Sequence, residues 1–567
     1  MNRRLIIPFL SAISLLFGLL LLLHQPASSK TDGVICVNIT GTGGCYTSIQ
    51  AAINAAYPHD RINVDVGTYY EHITVTKNLE LIGKGWDYTV IDGGYSQSWP
   101  AVTFQSSIDS STVISGFKVT GGGDGSPDDL DRDGGGLDIE YSSPRIINTF
   151  VYSCTARNGG GVFVKYGSPT FDNISVWNSR AAMRGGGIFI QGTGSITITG
   201  NPFATWNGTI LLNHADWDGG GISISDARLF MSGMRLYRNT ADWYGGGMNI
   251  ENDPSLVQLI FNDISANTAS DGGGIYATQA NNLDISANFI GSSNSLTGGN
   301  TATNDGGGGY FHFAGGKFQT NWVYGNKAKN IGGIYLIDSP TTLIVSRNRI
   351  EANHGGGLGI ELNATPLVDS NTIIFNTSQM GGGIYINDSS NFSITNNIIA
   401  GNIVTGSGAG GGIAFIESAP RLINNTIAVN TGDGIYFHAT QGAEMINNII
   451  SLNSGHGIEW NDYPVTTTLF TINYNDVYMN SGGNYTLNII PGLYDLSVDP
   501  LFIGTGSDAF IYFHIQNNSP VKATGSLANA PKFDIDGQNR WLNGKVSMGA
   551  DEIEFEVFLP VIMRLSP

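Results

Sequence analysis

Carboxylates at regular spacing are the first chemistry this sequence offers. Asp129, Asp131 and Asp133 alternate ahead of Gly134, and Glu140 follows six residues later. That is the spacing of a calcium loop, because hard oxygen ligands on alternate residues of a tight turn converge on one cation. The competing reading is an acidic, solvated insertion, since Gly134–Gly136 belong to a longer pattern and Glu140 falls on a strand. A second constellation recurs downstream. Ala215-Asp216-Trp217-Asp218 precedes Gly219, Ala241-Asp242-Trp243-Tyr244 precedes Gly245, and Asp271 and Asp305 stand before Gly272 and Gly306. Indole rings stack on the apolar faces of sugars while acids accept hydroxyl hydrogen bonds. Paired carboxylates can also serve glycoside hydrolysis. Against both, an Asp ahead of a Gly caps a turn with its own side chain.

The elements that must carry these residues are set by a repeat. Gly-Gly-Gly followed by an apolar-x-apolar stretch occurs at 134–136, 159–161, 185–187, 219–221, 245–247, 272–274, 306–309, 355–357, 381–383 and 410–412. Degenerate copies sit at Gly332-Gly333, Gly434 and Gly457, and the steps of about 22 to 35 residues are those of a solenoid. After each run the alternation has period two, as in Ile188/Ile190, Ile222/Ile224, Ile384/Ile386 and Ile435/Phe437. These residues are expected to point inward and those between them to face solvent. Asn321, Asn348, Asn371, Asn397, Asn425 and Asn448 recur in phase, each before an apolar pair. Stacked about one strand spacing apart, their amides can bond along the axis at a buried bend. Together the glycines and amides specify an all-β chain, a single right-handed parallel β-helix. Neighbouring coils would then stack the Asp and Trp residues into a ridge.

The segment from Tyr46 to Gly94 resembles the pectin-lyase-like right-handed β-helix superfamily. The resemblance implies an N-terminal capping helix, for which Ile49, Ala52, Ile53 and Ala56 supply an apolar face behind Thr47 or Ser48. Near the other end, VDPLFIGTG, FDIDGQNR and SMGADEIE resemble the closing segment of secreted bacterial β-helix proteins, implying a C-terminal cap. The fold hosts lyases, hydrolases, epimerases and non-enzymatic adhesins, so the resemblance does not fix a reaction. Gly455-His456-Gly457 is similar to the Gly-His-Gly of polygalacturonases, but the Asn-Thr-Asp, Asp-Asp and Arg-Ile-Lys elements of that family are not arranged around it. His456 takes the place of Asp433 in the preceding coil and reads as a repeat variant. Arg180, Arg184, Arg235 and Arg238 lie near the ridge, and none is nominated as a lyase base.

Composition and the two ends bound the rest. Only 13% of the 567 residues are charged, against about 25% in ordinary proteins. A net charge of −19 argues against nucleic acid as a partner. The apolar run Leu5–Leu23 behind Arg3-Arg4 reads as a signal peptide, with membrane contact only if it stays uncleaved. Cys36 and Cys45 bracket a short Gly-rich loop and can form a disulfide, while Cys154 reads as a buried small residue. The chain therefore divides into a signal peptide (1–29), an N-terminal cap and first coils (30–120), the β-helix repeats (121–483), a C-terminal capping segment (484–554) and a short apolar tail (555–567). The expectation is a monomeric secreted or cell-surface protein that binds extracellular polysaccharide through its turn ridge, with calcium as a cofactor. The alternative is a polysaccharide lyase or glycoside hydrolase, favoured by the longer steps into 219–221 and 306–309, where inserted loops could wall a groove. A bare structural spacer is a third reading.

Overall fold

The computed structural model describes residues 33–553, apart from 95–98, 124–131, 202–207, 293–297, 407, 441, 462–468, 488, 505–511 and 541–543. The expected signal peptide and the apolar tail lie outside the described residues. Within them the chain winds a right-handed parallel solenoid of about 16 turns.

One coil shows how the sequence makes the fold. Ile222–Ser225 belongs to a first sheet, Arg228–Ser232 to a second and Arg235–Tyr237 to a third, and Thr240–Ala241 adds a short fourth strand before the next glycine run. Each strand pairs in parallel with its equivalent one coil on, as Ile222 with Met248, Leu229 with Val257 and Leu236 with Ile264. The residues of the glycine-run pattern, Ile188, Ile190, Ile222, Ile224, Ile384, Ile386, Ile435 and Phe437, all point into one continuous core. At the N-terminal end the helix Ile49–Ala55 covers the first coils with Ile49, Ala52 and Ile53, and Ser48 caps it by accepting the Ala51 N–H at 3.1 Å. Cys36 and Cys45 are joined in a disulfide.

Two asparagine ladders, rather than one, run along the body from the coil of Asn213 onward. The first extends from Asn262 through Asn288, Asn321, Asn348, Asn371, Asn397, Asn425 and Asn448 to Asn475. The second stands five residues later in each coil, twelve in the coil of Asn288, and runs from Asn213 through Asn239, Asn267, Asn300, Asn326, Asn353, Asn376, Asn402, Asn430 and Asn453 to Asn480. Each side-chain oxygen accepts both the backbone N–H and the amide N–H of the Asn one coil before. At Asn371 these bonds from Asn348 are both 3.0 Å, and the Asn371 amide also donates to Val345 O at 2.8 Å. The residue ahead of each Asn except Asn300 takes a left-handed conformation that side chains disfavour, even for Phe375 (φ 56°) and Val429 (φ 52°). The ladders hold those turns closed. Upstream, Ser179 and Cys154 occupy the second ladder's place: Ser179 donates its N–H to Asn213 Oδ1 and accepts the Cys154 N–H. Cys154 is fully enclosed there, and burial pushes its thiol up to about 12.

Two features depart from the simple repeat. Residues between the inward positions of the first sheet were expected to face solvent, yet Ser223 and Asn249 are only 0% and 1% exposed and Phe189 and Tyr276 are buried. The fourth strand and the turn after it fold back over that face, forming an arm in each coil. Beyond the last coil, Asp495 and Asn484 close the two ladders by accepting the N–H groups of Asn475 and Asn480. The described residues of 500–553 then turn back along the outside of the third sheet. There Phe513, Ile535 and Ala550 cover Ile374, Ile398, Ala400 and Ala428. Arg540, wholly enclosed, ties this strap together by donating to Gly549 O, Ala550 O and Asn396 Oδ1.

Asn371→Ala leaves the buried donors of Asn348 without an acceptor, at a cost of about 1–3 kcal/mol. Native-state hydrogen exchange should show roughly tenfold or more loss of protection across 345–374 with distant coils unaffected, as expected for a one-dimensional stack. Unchanged protection would mean that the ladder does not support the turns.

Candidate functional site

Each arm is pinned at both ends. It begins at an Asn of the second ladder and ends at the glycine run, as in Asn213-His214-Ala215-Asp216-Trp217-Asp218-Gly219. Ala181, Ala215, Ala241, Ala269 and Ala302 are the small buried residues that let the arm lie flat. Gly219 makes the return: its φ is 68°, and a Cβ there would stand 2.5 Å from the Ile222 carbonyl. Thus the ridge expected from the sequence is a stack of arms, and the arms divide its residues into two rows.

The outer row holds Asp216, Trp217, Asp242 and Trp243. Asp216 is engaged by Arg180 at 3.0 Å and by His214 at 3.0 Å, whereas the Asp242 side chain is 62% exposed and 3.9 Å from His214. Trp217 and Trp243 stack at 6.3 Å with an interplanar angle of 23°. The next arm, Ala269-Ser270-Asp271, is one residue shorter and places no ring opposite Trp243, whose carbonyl it meets through Ser270 N and Asp271 N. The far face of that indole is therefore an open platform, and Trp243 is 58% exposed.

The inner row, Asp218, Tyr244, Asp271 and Asp305, is aligned coil by coil and leans over the first sheet. Asp218 is buried beside Arg184 (3.5 Å), which also reaches Glu251 at 2.6 Å. Desolvation, outweighing the Arg184 charge, pushes Asp218 up to about 6 and also raises Glu251, Asp271 and Asp305. Asp271 Oδ1 accepts the Asp305 N–H of the next coil at 3.1 Å. Tyr244 stacks on Tyr276 at 4.4 Å and Tyr276 on Tyr310 at 5.0 Å, a column of which only Tyr244 is among the expected site residues. Its signal was present, because an aromatic residue recurs at the second position after the glycine runs, where solvent exposure had been expected.

The expected calcium ligands are only partly in view. Asp129 and Asp131 lie outside the described residues. Asp133 is held by Arg157 and Asn158, and Glu140 sits on the strand Leu137–Glu140. Both line a cavity of ≈ 300 Å³ with Asp138, whose carboxyl burial pushes up to about 7 with help from Glu140 and Asp133. His456 stands one coil from Asp433, donating its backbone N–H to Asp433 Oδ1, with Glu459 3.4 Å from its ring. Of the four arginines near the ridge, Arg180 and Arg184 are its counter-ions. Arg235 and Arg238 lie around the third-sheet strand, Arg235 paired to Asp263 and both over the Tyr237 ring.

Because the folded pKa of Asp218 lies above the unfolded 3.8, the folded chain holds the extra proton. Stability is therefore greatest below pH 4 as far as this group is concerned, and falls as pH rises to about 6, by at most ~3 kcal/mol. Thermal midpoints of Asp218→Asn at pH 4 and 6.5 should converge relative to the parent chain. An undiminished difference would contradict the burial of the inner row.

A family model described as the right handed beta helix region matches residues 182–408 and 345–489. No curated protein matches the chain in sequence. Among solved structures, the periplasmic alginate epimerase AlgG is 14% identical over 64% of this chain and 74% of its own, with a TM-score of 0.29. The A-module of the Azotobacter vinelandii mannuronan C-5 epimerase AlgE4 is 13% identical over 80% of this chain and 95% of its own, at 0.26. The Dettilon tailspike protein is 14% identical over 82% and 69%, also at 0.26. Likeness at this level carries no chemistry across. The two matched spans together take in more than half of the sequence, and the chain belongs to the right-handed β-helix family.

Proposed function

We propose that this is an exported or cell-surface protein that binds extracellular polysaccharide along its stack of arms. The observation that carries the reading is the exposed Trp217–Trp243 pair, with its open indole face, beside the carboxylates of Asp216 and Asp242. Aromatic platforms and acceptor oxygens repeated along one axis match an extended chain of sugar rings better than a compact ligand. A net charge of −19 and an acid-lined ridge disfavour polyanions, so the glycan of this reading is neutral. The Cys36–Cys45 disulfide and the apolar Leu5–Leu23 segment support an oxidising, extracytoplasmic setting. No helix of the described residues is long and apolar enough to cross a membrane. Calcium, in this proposal, sits at the N-terminal edge of the same side, near Asp133 and Glu140, and the protein is a monomer.

Affinity electrophoresis of the chain from Lys30 through neutral glucans, mannans and xylans, and through polyuronates, tests the proposal. Retention by a neutral polymer should weaken tenfold or more in Trp243→Ala, about 1.4 kcal/mol, and little in Trp322→Ala on another face. Calcium and chelator lanes read the cation. Retention indifferent to Trp217 and Trp243 would overturn the ridge reading, and new reducing ends would instead assign the chain to the polysaccharide-cleaving alternative.

A further inference from the structure

Four coils beyond the tryptophan pair, the tyrosine column changes. Tyr244, Tyr276 and Tyr310 stack with interplanar angles of 17° and 18°, but Tyr335 meets Tyr310 edge-on at 72°. The cause lies in the next coil, His354-Gly355-Gly356-Gly357-Leu358-Gly359-Ile360-Glu361. Gly359 takes the column position between Tyr335 and Tyr385. A Cβ there would meet the Tyr335 ring at 2.8 Å and Ile331 at 2.6 Å, so only glycine lets Tyr335 lean over it. The arm of the same coil is reduced to Gly355 and Gly356, with φ of 112° and 122°, where a side chain would be strained. One coil thus omits its side chains from both wall and floor. The gap is a cavity of ≈ 350 Å³ lined by Tyr335, Tyr385, Glu361, Lys329 and Gln379 among others. That is the small end of the range for small-molecule sites, roughly 300–1,000 Å³. Glu361 lines it beside Tyr335 and Asn387, its carboxyl raised by burial.

We propose that this pocket is a separate binding site for a single neutral pyranose ring, held between Tyr335 and Tyr385 with its hydroxyls on Glu361. The tyrosine faces suit the apolar face of a sugar, and a carboxylate accepts from two adjacent hydroxyls. Gln379 and Lys329 at the mouth add donors for ring or glycosidic oxygens. The choice of sugar as ligand rests on the polysaccharide reading above, but the site does not use the tryptophan ridge.

Saturation-transfer NMR of the full chain with the methyl glycosides of glucose, galactose, mannose and xylose tests this. At least one probe should receive saturation, with affinity falling tenfold or more in Glu361→Gln and in Tyr385→Ala and persisting in Trp243→Ala. Tyr385→Leu, which keeps bulk at the wall and removes the ring, serves where Tyr385→Ala does not fold. No transfer to any probe, or transfer unchanged in Glu361→Gln and in the tyrosine variant, overturns the pocket. If polymer retention meanwhile depends on Trp243, the pocket fails and the ridge stands. Transfer lost in Glu361→Gln with no polymer retained leaves the pocket standing and the ridge failed.

Discussion

Everything in this molecule hangs on satisfying buried backbone at corners that recur in every coil. A parallel solenoid turns its chain sharply at the same places sixteen times over, and each corner leaves an N–H pointing along the axis in a site closed to water. An unpaired donor there would cost about 1–3 kcal/mol, repeated at every level. From Asn213 and Asn262 onward the two asparagine ladders answer this with one side chain per corner, whose oxygen accepts from the coil behind and whose amide donates to the coils on both sides. They also hold residues such as Val429 in conformations they would not otherwise keep. Because each Asn is both donor and acceptor, the ladder has direction, and Asp495 and Asn484 supply its terminal acceptors.

The same constraint positions the surface. An arm can leave the body only between a ladder Asn and a glycine run, so its residues fall at fixed places and stack from coil to coil. Outer residues become a row of side chains in water, and inner ones are pressed onto the first sheet. Asp216 and Asp218, two residues apart, accordingly differ: one lies in an exposed ion pair with Arg180, the other is buried and raised to about 6. Small changes in arm length then make features. One missing residue in the arm at Ser270 uncovers Trp243, and an arm of glycines at 355–356 opens the pocket beside Glu361.

Most of the solenoid was legible because its signals are periodic: the glycine runs, the alternating Ile pairs and the first Asn series. The second ladder was readable as an Asn five residues after all but one member of the first, an insertion separating Asn288 from Asn300, but it hides among the many other Asn residues of the coils. What could not be read was which outward positions are covered. Ser223 and Ile398 both alternate out of the core, one to lie beneath an arm and the other beneath a strap from more than a hundred residues away. The doubled apolar pairs after several of these Asn residues, such as Ile398-Ile399, were a trace of that second covering. The site was half legible. Spacing grouped the Asp and Trp residues correctly by coil, yet it could not separate the two rows or find His214, Arg184 and Glu251 as their partners.

The central claim is that ligand recognition lies on the arm side of the solenoid and leaves the strap side alone. Hydroxyl-radical footprinting of the full chain, with and without the polymer that retains it, reads this directly, because exposed indoles report their own burial. Trp217 and Trp243 should be protected from oxidation while Trp322, exposed on the third sheet, stays as reactive as before. Protection of Trp322 with Trp243 unchanged would contradict the account.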